Sequence, residues 1–561
     1  MKIAILGGGL AGLSVAHNLI KCGFNNITIY ERNSSTGGMA RSKRLNVKDK
    51  TFNAKRVKRI PEKELPFNYS WRIVGKEYRN LRNTLREIPI DDGNVEDLLV
   101  DVSKHWFIID KEIIEMDVSI STIFKFYGRL KTLCFTDLIN ISRAYLYSII
   151  TCNERIDTHD DQTWISFVGP LSKDAYMMLV ESCGPVFGID YHKVNATSIL
   201  STLNGVSFFI PNHNQVLNTT WDEGLFKPWE SHLKSLGVKI RLNTTIIEIE
   251  IRDDKIIGIT IDDISERFQE EIIADVYFIC LPVESAYDLL RDSKMGDSLC
   301  HLKNNSKQLM TNLTVYFEER IYMGNEKSCI YLPGTPWKVI IQPCGEIWKD
   351  NIKAKYGVGD IWFVGICCQH CKGTLHGKKF SECSIEESIQ EVLYQMYSHG
   401  LDKYLTTESG KKFSKVKILN SKMWESFHDD FKGHIYTTEP KFSNNVDTLK
   451  YSPSPECPEI DNAHFATSYC KMSRKIFLMD GAFEASAMAC NAFLDKINSN
   501  VKRVKVNKTK ARFRSLEGLR IIDRIMFKKR LPPLSKYVHP LFIIIAYFMI
   551  IGTLIFKVFS F

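Results

Sequence analysis

The chain opens on short apolar runs broken by glycine turns. Residues 2–6 (KIAIL) are an apolar run of strand length, followed by Gly7-Gly8-Gly9-Leu10-Ala11-Gly12 and then by apolar positions at helical spacing through about Cys22. A second apolar run, residues 26–30 (NITIY), ends in Glu31. This pattern predicts strand, helix and second strand, the opening of a parallel α/β layer. Later, residues 236–261 read as two strands joined at Asp253-Asp254-Lys255, and residues 274–282 as a strand ending in Cys280-Leu281-Pro282. Residues 360–367 (DIWFVGIC) read as a buried strand. A helix is predicted from Met479-Asp480-Gly481 onward, with apolar positions continuing through Ala489, Ala492 and Phe493.

Each part of the first 31 residues has a physical task. Gly7 permits the tight turn from strand to helix, Gly9 lets a pyrophosphate approach the backbone, and Gly12 lets the helix pack closely on the strand. The free N–H groups and positive dipole end of the helix N-terminus favour phosphate. Glu31, 24 residues after Gly7, stands at the tip of the second strand, where its carboxylate can accept ribose hydroxyls. Strand, helix, second strand and terminal acid in register make this a dinucleotide fingerprint.

Composition sets the scale. With 561 residues, 44% hydrophobic and 25% charged, the chain fits two interleaved globular domains. Disordered, collagenous and polytopic membrane classes are excluded. Fifteen cysteines over that length are too sparse for a disulfide scaffold. The net charge of +9 is concentrated: residues 501–540 hold 13 Lys+Arg against 2 Asp+Glu, leaving 61 against 63 elsewhere. The body is nearly neutral, so no nucleic-acid partner is expected, and 501–537 reads as a basic tether. Beyond it, residues 541–556 (LFIIIAYFMIIGTLIF) carry no charge. Such a helix would span about 24 Å, or about 31 Å if continued to Phe561, against a hydrocarbon core of roughly 30 Å. Lys528, Lys529, Arg530 and Lys536 before it suit a flank facing anionic lipid. The expectation is a membrane tail anchor over 538–561, with the body on the cytosolic side and its thiols free; no signal peptide precedes the first strand.

The residues after Glu31 carry a resemblance. Arg32 leads into Gly37-Gly38-Met39-Ala40-Arg41, a second glycine pair followed by an arginine, which resembles the extended motif of the flavin amine oxidase and phytoene desaturase superfamily. In that superfamily the pair runs beside the FAD pyrophosphate and the arginine helps neutralise it. The 236–261 segment is similar to the superfamily's return to the FAD domain, which implies that Ile246 packs against adenine. A narrower likeness, to hydroxysqualene dehydroxylase-like desaturases, rests on Tyr69-Ser70-Trp71-Arg72, on Lys227-Pro228-Trp229, and on Met479-Asp480-Gly481-Ala482. The last implies a helix whose N-terminus points at the flavin. Departures from that branch stand at Asn68, Tyr69 and Ser70, and its Gly-Asp element is replaced by His464-Phe-Ala-Thr-Ser468-Tyr469.

The resemblance implies a Rossmann-like, glutathione-reductase-like FAD domain of amine oxidase type, built from 1–60, 236–295 and 455–500. It is interleaved with an α+β substrate domain of 61–235 and 296–454. The expected cofactor residues are Gly7, Gly9, Leu10, Ala11, Gly12, Glu31, Arg32, Gly37, Gly38, Met39, Arg41, Ile246, Met479 and Asp480. No catalytic acid or base is assigned. Cys367, Cys368, His370, Cys371, His376 and Cys383 offer metal-type ligands at short spacing. The buried strand before them and the likeness of residues 377–383 to the flavoprotein branch favour inert thiols, so no metal is assigned. His17 reads as a packed residue rather than a base. The leading expectation is an FAD-dependent oxidoreductase taking a hydride from a hydrophobic, isoprenoid or lipid-like substrate. A flavin amine oxidase and a catalytically inactive, FAD-retaining membrane scaffold remain the alternatives.

Overall fold

The structure is a computed structural model that describes the chain except residues 46–63, 103, 110, 116–133, 178–179, 181–187, 206–213, 325–326, 510–513 and 538–561. A five-stranded parallel sheet is drawn from well-separated stretches of chain. It comprises β1 (Ile3–Leu6), β2 (Ile27–Tyr30), β3 (Lys239–Arg241), β4 (Val276–Ile279) and β5 (Ala463–Phe465), in spatial order β3-β2-β1-β4-β5. The strands are apolar on both faces because both are covered. Ile5, Leu6, Ile29 and Phe278 are fully enclosed, each contributing about 1.5–3 kcal/mol of transfer free energy. The first helix, α1 (Leu10–Lys21), packs against α2 (Met479–Lys496) so closely that Ser486 Oγ donates to the Ala11 carbonyl at 3.0 Å. The winding direction reverses between β1 and β4, and a parallel sheet binds ligands at the carboxyl ends of strands flanking such a point.

An antiparallel meander, Thr244–Arg252, Lys255–Asp263 and Phe268–Ile272, follows β3. Its first turn is Asp253-Asp254, both left-handed at φ 47° and 59°, as a two-residue hairpin requires.

The second large layer is a seven-stranded sheet with Asp360–Ile366 near its centre. Along that strand, Ile361 and Phe363 face one core while Trp362, Val364 and Ile366 face another. Burial on both faces removes the polar alternation a half-exposed strand would show.

The basic stretch does not run free as a tether. It carries α3 (Glu517–Lys528), docked on the helix Phe135–Ile150. Asp523, one of the two acids of that stretch, is fully buried. It accepts from Cys152 N at 3.0 Å, Arg155 Nε at 3.1 Å and Leu534 N at 2.9 Å. Arg520 Nε donates to the Ile149 carbonyl at 2.9 Å. Buried polar groups satisfied in this way tie the segment to the body. The expected anchor over 538–561 lies outside the described residues; among the described residues no helix is long and apolar enough to cross a membrane.

Candidate functional site

At the reversal between β1 and β4 a cavity of about 370 Å³ opens, with Gly7 and Cys280 at the two strand ends in its wall. Of the expected cofactor residues, Gly7, Gly9, Leu10, Ala11, Glu31, Arg32, Gly37, Gly38, Met39, Arg41, Ile246 and Met479 line it; Gly12 and Asp480 do not.

The glycines divide the labour. Gly7 has φ +104°, and a Cβ there would lie 2.7 Å from the Cys280 carbonyl. A Cβ on Gly12 would lie 1.9 Å from the Gly7 carbonyl, so this residue serves the contact between helix and strand. A Cβ on Gly9 would meet nothing nearer than Gly38 Cα at 3.7 Å. Its bareness therefore serves the cavity rather than the fold. The second glycine pair is laid directly on the first loop: Gly37 N donates to the Gly8 carbonyl at 2.8 Å, and Gly9 and Gly37 form a parallel bridge. Glu31, 5% exposed, accepts from Gly8 N at 2.8 Å and Asn33 N at 2.9 Å. A carboxylate thus borders an open backbone cradle beside a helix N-terminus, a donor set that fits a dinucleotide with its ribose and phosphates. Ile246 lies in the wall with Thr244 and Thr245.

Two arginines take different roles. Arg41, expected to neutralise phosphate, is 3% exposed and already paired: its Nη2 donates to both carboxylate oxygens of Glu439 at 2.9 Å. Burial raises the Glu439 carboxyl, but Arg41 and the Trp424 indole outweigh it and hold it below its usual range. Arg72, 5% exposed, also lines the cavity. Its Nη2 makes only long contacts, to the Met39 carbonyl at 3.4 Å and the Arg41 carbonyl at 3.3 Å, and its buried Nη1 has no protein partner. Burial pulls it down to about 9; the guanidinium lies over the Trp221 ring at 5.2 Å, and among the described residues no carboxylate pairs with this cation. Sequence reasoning quoted Arg72 within a family element but gave it no role; its isolation depends on what packs round it.

Asp480, expected at the cofactor, turns the other way. It accepts from Leu81 N at 3.0 Å and pairs with Arg474 at 3.2 Å, joining α2 to the helix Arg79–Leu85. Met479 and Ala482 occupy the cavity end of α2. His17 is buried outside the cavity, hydrogen-bonded to Glu87 at 2.8 Å and accepting from Trp229 Nε1 at 3.3 Å.

Other wall residues differ in character. Trp71, Ile73, Met310, Phe442, Phe477 and Leu478 add apolar side chains to the lining. Set in it is Lys441, another residue that sequence reasoning missed. Its Nζ donates to the Gly188 carbonyl at 2.5 Å and lies 3.3 Å from Met310 Sδ. Burial pushes this ammonium down to about 8, because desolvation disfavours the charged form. Tyr69 and Tyr469 line the cavity with their hydroxyls tied to the backbone, at 2.9 Å to Glu439 O and 2.8 Å to Leu281 O.

The NAD(P)-binding Rossmann-like domain family matches residues 5–88. No curated protein matches in sequence. Solved structures match over nearly the whole described fold. An oxidoreductase from Methanosarcina mazei is 13% identical over 88% of this chain and 100% of its own, with a TM-score of 0.54. A putrescine oxidase double mutant with redesigned cofactor binding is 13% identical over 89% of this chain and 99% of its own, with a TM-score of 0.56. Cyclohexylamine oxidase from Brevibacterium oxydans is 12% identical over the same shares, with a TM-score of 0.52. At these identities the likeness is one of fold, and the chain has the fold of the amine oxidase-type oxidoreductases, built on a dinucleotide-binding Rossmann domain.

Proposed function

We propose that this protein is an FAD-dependent oxidoreductase that takes a hydride from a hydrophobic, isoprenoid or lipid-like substrate at a membrane surface. The observation that carries the reading is that one cavity is lined both by the glycine cradle and by the apolar side chains of Trp71, Ile73, Met310 and Phe442. Bound FAD would supply a two-electron acceptor. In this reading the Gly9 and Gly37-Gly38 backbone holds the pyrophosphate, Glu31 accepts the ribose hydroxyls, Arg72 offsets phosphate charge and Ile246 flanks the adenine. The aromatic and aliphatic lining excludes water and orients an apolar substrate by shape. The apolar run 541–556, together with exposed Ile521, Ile522 and Ile525 beside Lys528, Lys529 and Arg530, supports attachment to a bilayer, with the body on its cytosolic side.

A second reading is an amine oxidase. It is favoured by Tyr69 and Tyr469, both in the cavity wall, and by the amine substrates named for two of the neighbouring structures. Anaerobic mixing of the flavin-loaded protein with substrate separates the readings. Bleaching by long-chain isoprenoids supports the proposal, and bleaching by amines alone replaces it with the second reading. Bleaching by neither class leaves an FAD-retaining scaffold without turnover.

A further inference from the structure

The geometry points to a zinc-type metal site formed by Cys368, Cys371 and His192, none of which lines the cavity of the glycine cradle. One ligand atom from each of the three residues lies within 4.8 Å of those of the other two. Two thiolates and an imidazole at that separation are a soft donor set for a tetrahedral divalent ion, with a fourth position left for water or a neighbouring side chain. Cys368 and Cys371 stand at Cys-x-x-Cys spacing just beyond the buried strand Asp360–Ile366. In sequence they belong to a six-residue cluster, and the structure dissolves that cluster. Cys367 and Cys383 are fully buried in separate apolar cores. The third ligand comes instead from His192, 176 residues before Cys368.

The loop holding the cysteines is preformed. Cys368 N donates to the Trp337 carbonyl at 2.9 Å, and Trp337 Nε1 donates to the Cys371 carbonyl at 3.1 Å. On the other side, His192 N donates to Asp190 Oδ1 at 3.1 Å, while Asp190 Oδ2 bonds His370 Nε2. The His370 and His192 rings stand 5.6 Å apart, nearly perpendicular. His370, held by the Asp190 carboxylate, stands beside the site without belonging to the three-ligand group. With both thiols deprotonated, a dication neutralises the site, and two protons leave to solvent.

Such an ion would clip the 190–192 loop to the end of the central strand. That loop also carries Gly188, whose carbonyl accepts from Lys441 in the cavity wall. The clip therefore fixes one part of the apolar lining without touching the nucleotide site.

The test is a titration of the full-length chain, purified under reducing conditions, with Co²⁺ followed by Zn²⁺. Tetrahedral thiolate coordination is expected to give d–d bands in the red, beyond flavin absorption, and stoichiometric Zn²⁺ should displace them. Cys368→Ser and Cys371→Ser should each abolish the bands. His192 is exposed, so His192→Ala should fold normally and weaken Co²⁺ binding by at least about a hundredfold, more than loss of an outer partner. Cys383→Ser should leave the Co²⁺ bands in place. Absence of the bands, bands that persist in His192→Ala, or a Cys368–Cys371 disulfide in freshly isolated protein would each overturn the assignment.

Discussion

Arg41 and Glu439 are 398 residues apart and form a two-pronged ion pair, with Nη2 of one donating to both carboxylate oxygens of the other at 2.9 Å. The pair fastens the second glycine loop to the bend between the strands Ile435–Thr437 and Lys441–Phe442, and the Trp424 ring lies 5.1 Å from the guanidinium. A buried charge matched in this way keeps only its Nε without a partner among the described residues. Arg72, which lies over the Trp221 ring but has no carboxylate among the described residues, has more left for a ligand.

The two arginines should therefore fail differently. Glu439→Ala leaves the buried guanidinium with only Glu425, at 3.6 Å, as a carboxylate partner, and removal of one partner of a buried pair costs up to about 3–5 kcal/mol. Urea unfolding should show that loss. Arg72→Met should leave stability nearly intact and weaken FAD binding instead. A charge-assisted hydrogen bond contributes about 1.5–3 kcal/mol, or roughly 10- to 150-fold in affinity. Unchanged FAD affinity in Arg72→Met would return the phosphate role to Arg41.

Gly9 and Gly12 belong to one motif but should also part company. Gly9→Val puts its side chain into open cavity, so the chain should fold with a near-normal melting temperature and emerge without flavin. Gly12→Ala drives a methyl to 1.9 Å from the Gly7 carbonyl, so the helix must lift from the strand and the protein should lose stability or solubility. Thermal melts beside flavin absorbance read both outcomes. A yellow Gly9→Val protein would remove the pyrophosphate from this loop.

Lys441 sets a pH-dependent term in stability. Its folded pKa is lowered to about 8, against about 10.4 for an unperturbed lysine. Between those values the unfolded chain holds a proton that the folded chain lacks, so this residue makes stability rise with pH across the window. Below pH 8 the folded protein bears the cost of a poorly solvated ammonium. Lys441→Met should then be more stable than the parent near pH 7, with the difference shrinking toward pH 10. Urea midpoints of the two proteins at pH 7, 8.5 and 10 give the comparison; a difference that does not change with pH would mean that Lys441 is solvated.

The tail separates insertion from adhesion. If residues 541–561 span a bilayer, full-length protein should stay with membranes through a wash in molar salt. A chain truncated after Lys536 keeps α3 and its Asp523 contacts, so it should remain folded and flavin-bound while losing salt-resistant attachment. Exposed cations near anionic lipid contribute about 1 kcal/mol each, a term that salt screens. Release of the full-length chain by salt alone would show that attachment is electrostatic.

The dinucleotide fingerprint was legible in sequence because everything it needs is local. Strand, glycine turn, helix and Glu31 fall within the first 31 residues, and their spacing is dictated by backbone geometry. The double-sided burial of Asp360–Ile366 was legible for a similar reason: an unbroken apolar run has one comfortable environment. What sequence could not decide was the partner of each charged or metal-type side chain. Arg41 was assigned to phosphate by its place in a motif, yet packing delivers Glu439 to it from the substrate layer. Asp480 sits at the expected helix start, but the turn of α2 aims it at Arg474 and the 79–85 helix. The basic stretch looked free by charge alone, and one buried acid, Asp523, docks it. Cys368 and Cys371 were visible as a spaced pair, but the imidazole beside them arrives from residue 192. Local spacing determines which backbone shapes can form, while the neutralising partner of a buried group is chosen by tertiary packing among residues hundreds of positions away.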